Sequence, residues 1–163
     1  MTRPDPAEAR QEIADIIGNS VVEAIALTES LNVERKALEQ QDTETLHAVV
    51  ASKSRHTEQL QSLDDRRSSL CDAWGFDAGP DQMDNLMSWC DEDGVISERW
   101  TELLRIAADG NALNLTNGAV IRLRQQQFET SLSVLRGVAP GFDTYGRHGE
   151  ETGDSSRRSL AEA

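Results

Sequence analysis

The stretch from Ser97 to Arg136 carries an unbroken seam, and no other feature constrains the fold as tightly. From Trp100 the positions Leu104, Ala107, Asn111, Asn114, Gly118, Ile121, Gln125, Phe128, Leu132 and Leu135 follow in alternating steps of four and three. That alternation is the coiled-coil pattern, and it predicts one long helix whose seam lies against other long helices. At about 1.5 Å per residue the stretch is roughly 60 Å long, well beyond an ordinary globular helix. Ser97 offers a cap for the first turn with Glu98 behind it, and Gly137 followed by Pro140 stops the helix after Arg136.

The preceding sequence supplies the partners. Asp5-Pro6-Ala7-Glu8 has the composition of a helix start: a cap, a proline suited to the first position and a glutamate placed for a capping box. From there to about Glu39, the positions Ala14, Ile17, Val21, Ala24, Thr28, Leu31, Arg35 and Leu38 form a second seam, which Ile13 and Ile25 widen. Gln40-Gln41-Asp42-Thr43 is a short polar turn with Asp42 or Thr43 as the next cap, so the first two helices form an antiparallel hairpin. The second helix, about Glu44 to Trp74, places Val49, Lys53, His56, Leu60, Leu63, Arg67, Leu70 and Trp74 on its seam. Its polar middle matches Asn111, Asn114 and Gly118 of the long helix. Polar groups on both sides of a seam either fix register at a cost in stability or mark a hydrated middle.

Gly75 to Pro80 breaks the second helix, and Pro80 opens a short one carrying Met83, Leu86, Met87 and Cys90 at helical spacing. Asp91-Glu92-Asp93-Gly94 turns the chain back into the long helix. The expected fold is all-α: a long antiparallel hairpin, a short helix and a long C-terminal helix in an elongated coiled-coil-like bundle. The helical domain spans 1–140. Residues 141–163, rich in glycine, serine and mixed charge, are expected to be a flexible, disordered tail.

A hydrophobic content of 37% with only 4% aromatics supports a thin core shared by long helices. The formal charge of −13 repels nucleic acid and anionic membranes. No signal-like segment opens the chain and no apolar run reaches the roughly 18 residues of a membrane span, so a cytoplasmic location is expected. Cys71 and Cys90 are too few for a zinc site and are expected to be buried free thiols.

Other motifs dissolve on inspection. Glu44-Thr45-Leu46-His47 is a Glu-x-x-His string, but carboxylate-bridged metal sites need two such strings and further inward glutamates. Aligning Gly94 with the glycine of a calcium loop puts Trp89 and Trp100 at ligand positions. Asn114-Leu115-Thr116 matches a glycosylation pattern in mid-helix. No nucleophile has an adjacent base and no glycine-rich phosphate loop is present, so neither an enzyme nor a cofactor or metal is expected.

The C-terminal half of the long helix carries Arg122, Arg124 and Arg136 against the lone Glu129, a local positive balance in an acidic chain. Leu113, Leu115, Val120, Leu123 and Val134 add apolar surface off the main seam. Such a helix needs more than one neighbour. Either the other helices cover it, or it offers a surface to an amphipathic helix of another protein. Phe142 and Tyr145 are two aromatics in an otherwise polar tail, suited to anchoring a partner.

Several of these residues together resemble the FlgN family of flagellar export chaperones. The match comprises Ser97-Glu98-Arg99-Trp100, then Leu113-Asn114 with Asn117-Gly118 and the continuation to Leu132 and Leu135, then Thr144-Tyr145-Gly146-Arg147-His148-Gly149. The first hairpin is similar in Leu31, Glu34, Arg35, Leu38, Lys53, Arg66 and Arg67. The Asn-Gly element followed by Tyr-Gly-x-x-Gly is the specific part, and the resemblance covers most of residues 10 to 150. It implies a cytoplasmic chaperone that binds the hook–filament junction proteins FlgK and FlgL, prevents their aggregation and delivers them to the FlhA component of the flagellar type III export gate. It further implies cargo contacts on the C-terminal helix, assigned to Ile121, Arg124, Gln125, Phe128, Leu132 and Leu135, and export-gate docking by Tyr145. The competing reading is a structural coiled-coil adaptor whose long helix pairs with its own copy.

Overall fold

The structure, a computed structural model, describes residues 3–137. Among these residues it contains four helices and no strand: α1 (Pro6–Gln40), α2 (Thr43–Ala73), α3 (Gln82–Cys90) and α4 (Val95–Leu135). They fall into two units, the first ending at Leu123 and the second beginning at Arg124.

In the first unit α1 and α2 form the expected antiparallel hairpin. Asp5 caps α1 through Ala7 N–H, with Pro6 at its first position. The helix ends at Gln41, whose left-handed conformation (φ 59°) lets its N–H and that of Asp42 satisfy the last carbonyls. Asp42 then caps α2 by accepting from Thr45 N–H at 3.0 Å. Cross-helix pairs descend α1 as they climb α2: Glu34 with Lys53, Glu23 with His56, Glu12 with Arg66. The expected α2 seam is in phase, each of its eight positions being buried or half-buried. On α1, Arg35 and Ile25 face solvent, while Ile16, Ser30 and Glu34 are buried instead, because α1 packs against more than one neighbour.

The densest core lies at the open end of the hairpin. Ala9, Ile13 and Ile17 of α1 meet Cys71 and Trp74 at the end of α2, Met83, Leu86, Met87 and Cys90 of α3, and Ile96 of α4. The short helix has its expected apolar face, although it begins at Gln82 and not at Pro80. Arg3 ties the N-terminus onto this end: its Nε donates to the Trp74 carbonyl at 2.8 Å and its guanidinium lies 4.4 Å from the Phe76 ring centroid. Burial pushes the thiols of Cys71 and Cys90 up from their ordinary pKa, with the neighbouring Asp91 charge adding to the effect at Cys90. Both therefore remain protonated and poorly nucleophilic.

Helix α4 starts two residues before the expected Ser97, and its cap is Asp91. The Asp91 carboxylate accepts from Ile96 N–H, Ser97 N–H and the Ser97 hydroxyl, while Gly94 adopts the positive φ that the turn requires. Burial alone would raise the Asp91 pKa, but these donors outweigh it and hold the carboxyl below its ordinary value. A depressed folded-state pKa gives stability that is present above the unfolded value and is lost as pH falls through the folded one. Asp91→Ala is therefore expected to cost about 1 kcal/mol at neutral pH. The gap between wild type and variant should narrow below about pH 4, which urea unfolding at the two pH values measures. An unchanged gap would show that the cap owes nothing to the ionised carboxylate.

Candidate functional site

The first unit fastens α4 to the hairpin through one close approach and one buried polar cluster. Gly110 provides the approach: a β-carbon there would stand 3.3 Å from Thr28 Oγ1 and 4.0 Å from Leu31 Cδ1. Two turns on, Asn117 is 1% exposed, and its Nδ2 donates to the Leu31 carbonyl at 2.9 Å and to Glu34 Oε2 at 2.8 Å. Glu34 also accepts from Lys53 Nζ at 2.9 and 3.0 Å, and Lys53 donates to Asn114 Oδ1 at 3.2 Å. One carboxylate thus joins α1, α2 and α4. No buried side-chain polar atom among the described residues lacks a partner, which favours register fixing over a hydrated middle. These contacts run α4 parallel to α1 and antiparallel to α2.

Trp100 makes a further join. It packs half-buried on the core of the open end, with the Arg67 guanidinium 5.4 Å from its ring centroid. Arg67 in turn donates to Asp64, Gln82 and Met83. Gly118, by contrast, lies in ordinary contact with Arg122 of its own helix, so the close approach belongs to Gly110.

The seam of α4 differs in phase from its expected course. Ile106, Gly110 and Asn117 are buried, with Leu103, Leu113 and Val120 half-buried between and beyond them. Leu104, Ala107, Asn111 and Asn114, each one residue later, are exposed. The four-three alternation is present but rotated by one residue, about 100° around the helix. Leu104, Leu115 and Leu123 consequently point to solvent at 52%, 63% and 55% exposure.

Of the residues assigned to cargo binding, Ile121 belongs to the first unit and is half-buried. In the second unit, Arg124 and Leu132 are half-buried and Gln125 is exposed, while Phe128 and Leu135 are 65% and 82% exposed. Phe128, Leu132 and Leu135 share a helical face by their four-three spacing. Val134 adds an exposed apolar side chain from another direction. The helix ends as expected, with Gly137 at positive φ and its N–H on the Val134 carbonyl. Tyr145, Gly146, Gly149 and the tail from 141 lie outside the described residues.

The concave features offer other chemistry. One cleft of about 410 Å³ is lined by Glu12, Asp15, Arg66 and Arg99 among others, and a second of about 420 Å³ by Asp84, Met87, Asp91 and Trp100 among others. Neither holds a histidine or cysteine. Among the described residues no group of three or more His, Cys, Asp and Glu side chains is placed to hold a metal ion, and no helix is long and apolar enough to cross a membrane.

A long helix is thus bound to a hairpin by Asn114 and Asn117, with Trp100 at its root and large apolar residues exposed further along. The family model described as FlgN protein matches residues 10–153. The chain belongs to the FlgN family. It is thereby a flagellar export chaperone, a protein that binds flagellar proteins for export. No curated protein and no solved structure matches the chain. In this FlgN protein, Trp100, Asn114 and Asn117 have structural tasks: each fixes α4 against α1 or α2. Glu34, which completes the polar cluster, was not singled out as a site from sequence. Its signal was a carboxylate spaced three residues after Leu31 and four before Leu38, where a seam expects an apolar residue.

Proposed function

We propose that this chaperone acts in the cytoplasm on the hook–filament junction proteins FlgK and FlgL, keeping their terminal helices from aggregating and delivering them to FlhA at the export gate. The observation that carries the reading is the exposure of Phe128 and Leu135 in the second unit. Large apolar side chains at such exposure, in a chain of charge −13, suit an amphipathic helix supplied by another protein. Phe128, Leu132 and Leu135 supply the apolar contacts, with Ile121 preceding them along α4, and Arg124 and Gln125 give the polar edge.

Docking is assigned to Tyr145, whose ring and hydroxyl suit a transient contact at small entropic cost. Tyr145→Ala is expected to leave FlgK and FlgL affinity and the melting temperature unchanged while weakening association of the loaded chaperone with FlhA about tenfold or more, as loss of an aromatic anchor does. Titration calorimetry on both steps with the same variant is the test. Undiminished gate binding would remove the docking role, and a fall in melting temperature would assign Tyr145 to the fold instead. Absence of any complex between the wild-type chain and FlgK or FlgL would overturn the cargo assignment itself.

A further inference from the structure

Opposite the face that α4 buries on the hairpin lies a second apolar stripe, contained within the first unit. It consists of Leu104, Ala108, Ala112, Leu115, Ala119 and Leu123, all exposed. The steps between them are four, four, three, four and four, so the spacing reads the same in both directions. Its midpoint falls between Leu113 and Asn114. A second copy laid antiparallel about that midpoint places Leu104 opposite Leu123, Ala108 opposite Ala119 and Ala112 opposite Leu115. Every layer is then apolar on both sides, as an isologous two-fold contact requires. Leu115 packs beside the second copy's Ala112 at the centre, the Ala108 and Ala119 layers allow the helices to approach, and Leu104 and Leu123 fill the two ends.

Charge permits the same occupant. Within 104–123 the charged residues are Arg105, Asp109 and Arg122, and Arg105 is paired with Asp109 at 3.1 Å. This surface therefore carries a net charge of only about +1, and in the antiparallel register Arg122 stands level with the second copy's Arg105, which Asp109 neutralises, so the like-charge cost of the contact is small. The stripe spans about 28 Å of helix, enough to bury on the order of 1,000 Å² in total, which places the contact in the weak and reversible class.

We propose that the outer face of α4, from Leu104 to Leu123, pairs antiparallel with the same face of a second copy of this chain to form a dissociable homodimer. The dimer forms without cargo and uses none of the second unit's residues. The test is made without cargo: light scattering and sedimentation of the full chain alone, over a concentration series up to its solubility limit. A monomer–dimer equilibrium is expected. Leu115→Glu should raise the dissociation constant about 100-fold or more by placing unpaired charge in the contact, with helicity and melting temperature unchanged because Leu115 is 63% exposed in the monomer.

Register is read by cross-linking with a short thiol-specific reagent, which the burial of Cys71 and Cys90 makes feasible. Ala108→Cys chains mixed with Ala119→Cys chains should cross-link to one another. Each variant alone should not, since like positions stand about 16 Å apart along the axis. A chain that stays monomeric throughout, a dimer indifferent to Leu115→Glu, or cross-links between like positions would each overturn the proposal. So would a monomer in which Leu115→Glu abolishes cargo binding, because the stripe would then belong to the cargo.

Discussion

Replacing Lys53 with methionine is expected to destabilise the protein by about 3 kcal/mol, a large share of what a domain this size has in reserve. Methionine keeps the apolar stem and removes only the charge, leaving the Glu34 carboxylate, with its side chain 5% exposed, without its counter-ion. The loss sits at the low end of the range for broken buried pairs because the Lys53 side chain retains 24% exposure. Asn117 alone cannot compensate: its single amide nitrogen already serves both Glu34 and the Leu31 carbonyl. Combining Glu34→Leu with Lys53→Met should recover at least about 1 kcal/mol relative to Lys53→Met alone, since the stranded charge is then gone. Urea unfolding of the wild type and the variants checks both figures. A cost under about 0.5 kcal/mol for Lys53→Met would mean that the pair behaves as a solvated surface contact.

The same cluster shows what was legible in the sequence and what was not. The phase of the α2 seam is legible because its polar members, Lys53, His56 and Arg67, are flanked by unambiguous apolar positions at both ends. The phase of the α4 seam is ambiguous in the sequence because neighbouring apolar pairs, Leu103 with Leu104, Ile106 with Ala107 and Val120 with Ile121, fit either rotation. Counting from Trp100 gives the later member of each pair. The earlier set, with Leu103, Ile106, Leu113 and Val120, is the bulkier, and comparing the two sets by size would have favoured it. What no single-helix pattern could disclose is which of two rotations about 100° apart meets the hairpin, since that depends on Thr28, Leu31, Glu34 and Lys53 of the other helices. Glu34 was hidden for a related reason: a carboxylate on a seam is intelligible only once Lys53 and Asn117 stand beside it, and both come from other helices. Asp91 is not legible as a cap because it reaches across the turn to Ile96 and Ser97 from outside the usual capping interval.

Exposure also separates folding from the cargo binding proposed for the second unit, and on that proposal Phe128→Ala is expected to weaken cargo binding by about 2 kcal/mol, roughly 30-fold in affinity. An aromatic ring 65% exposed in the free chain contributes little to the folded state, so its removal should leave the melting temperature within error of wild type. In a complex the same ring becomes the largest apolar body on its face, with Leu132 and Leu135 one and two turns away, and covering it returns most of its transfer free energy. Leu132→Ala is the useful contrast, because Leu132 is half-buried and its loss should appear partly in stability as well as in binding. Calorimetric titration of FlgK and FlgL into each variant, paired with thermal melts, resolves the two contributions. Loss of binding by Phe128→Ala only in step with loss of folding would assign the ring to the helix's own packing. Undiminished affinity in both variants would move the cargo surface off this part of α4.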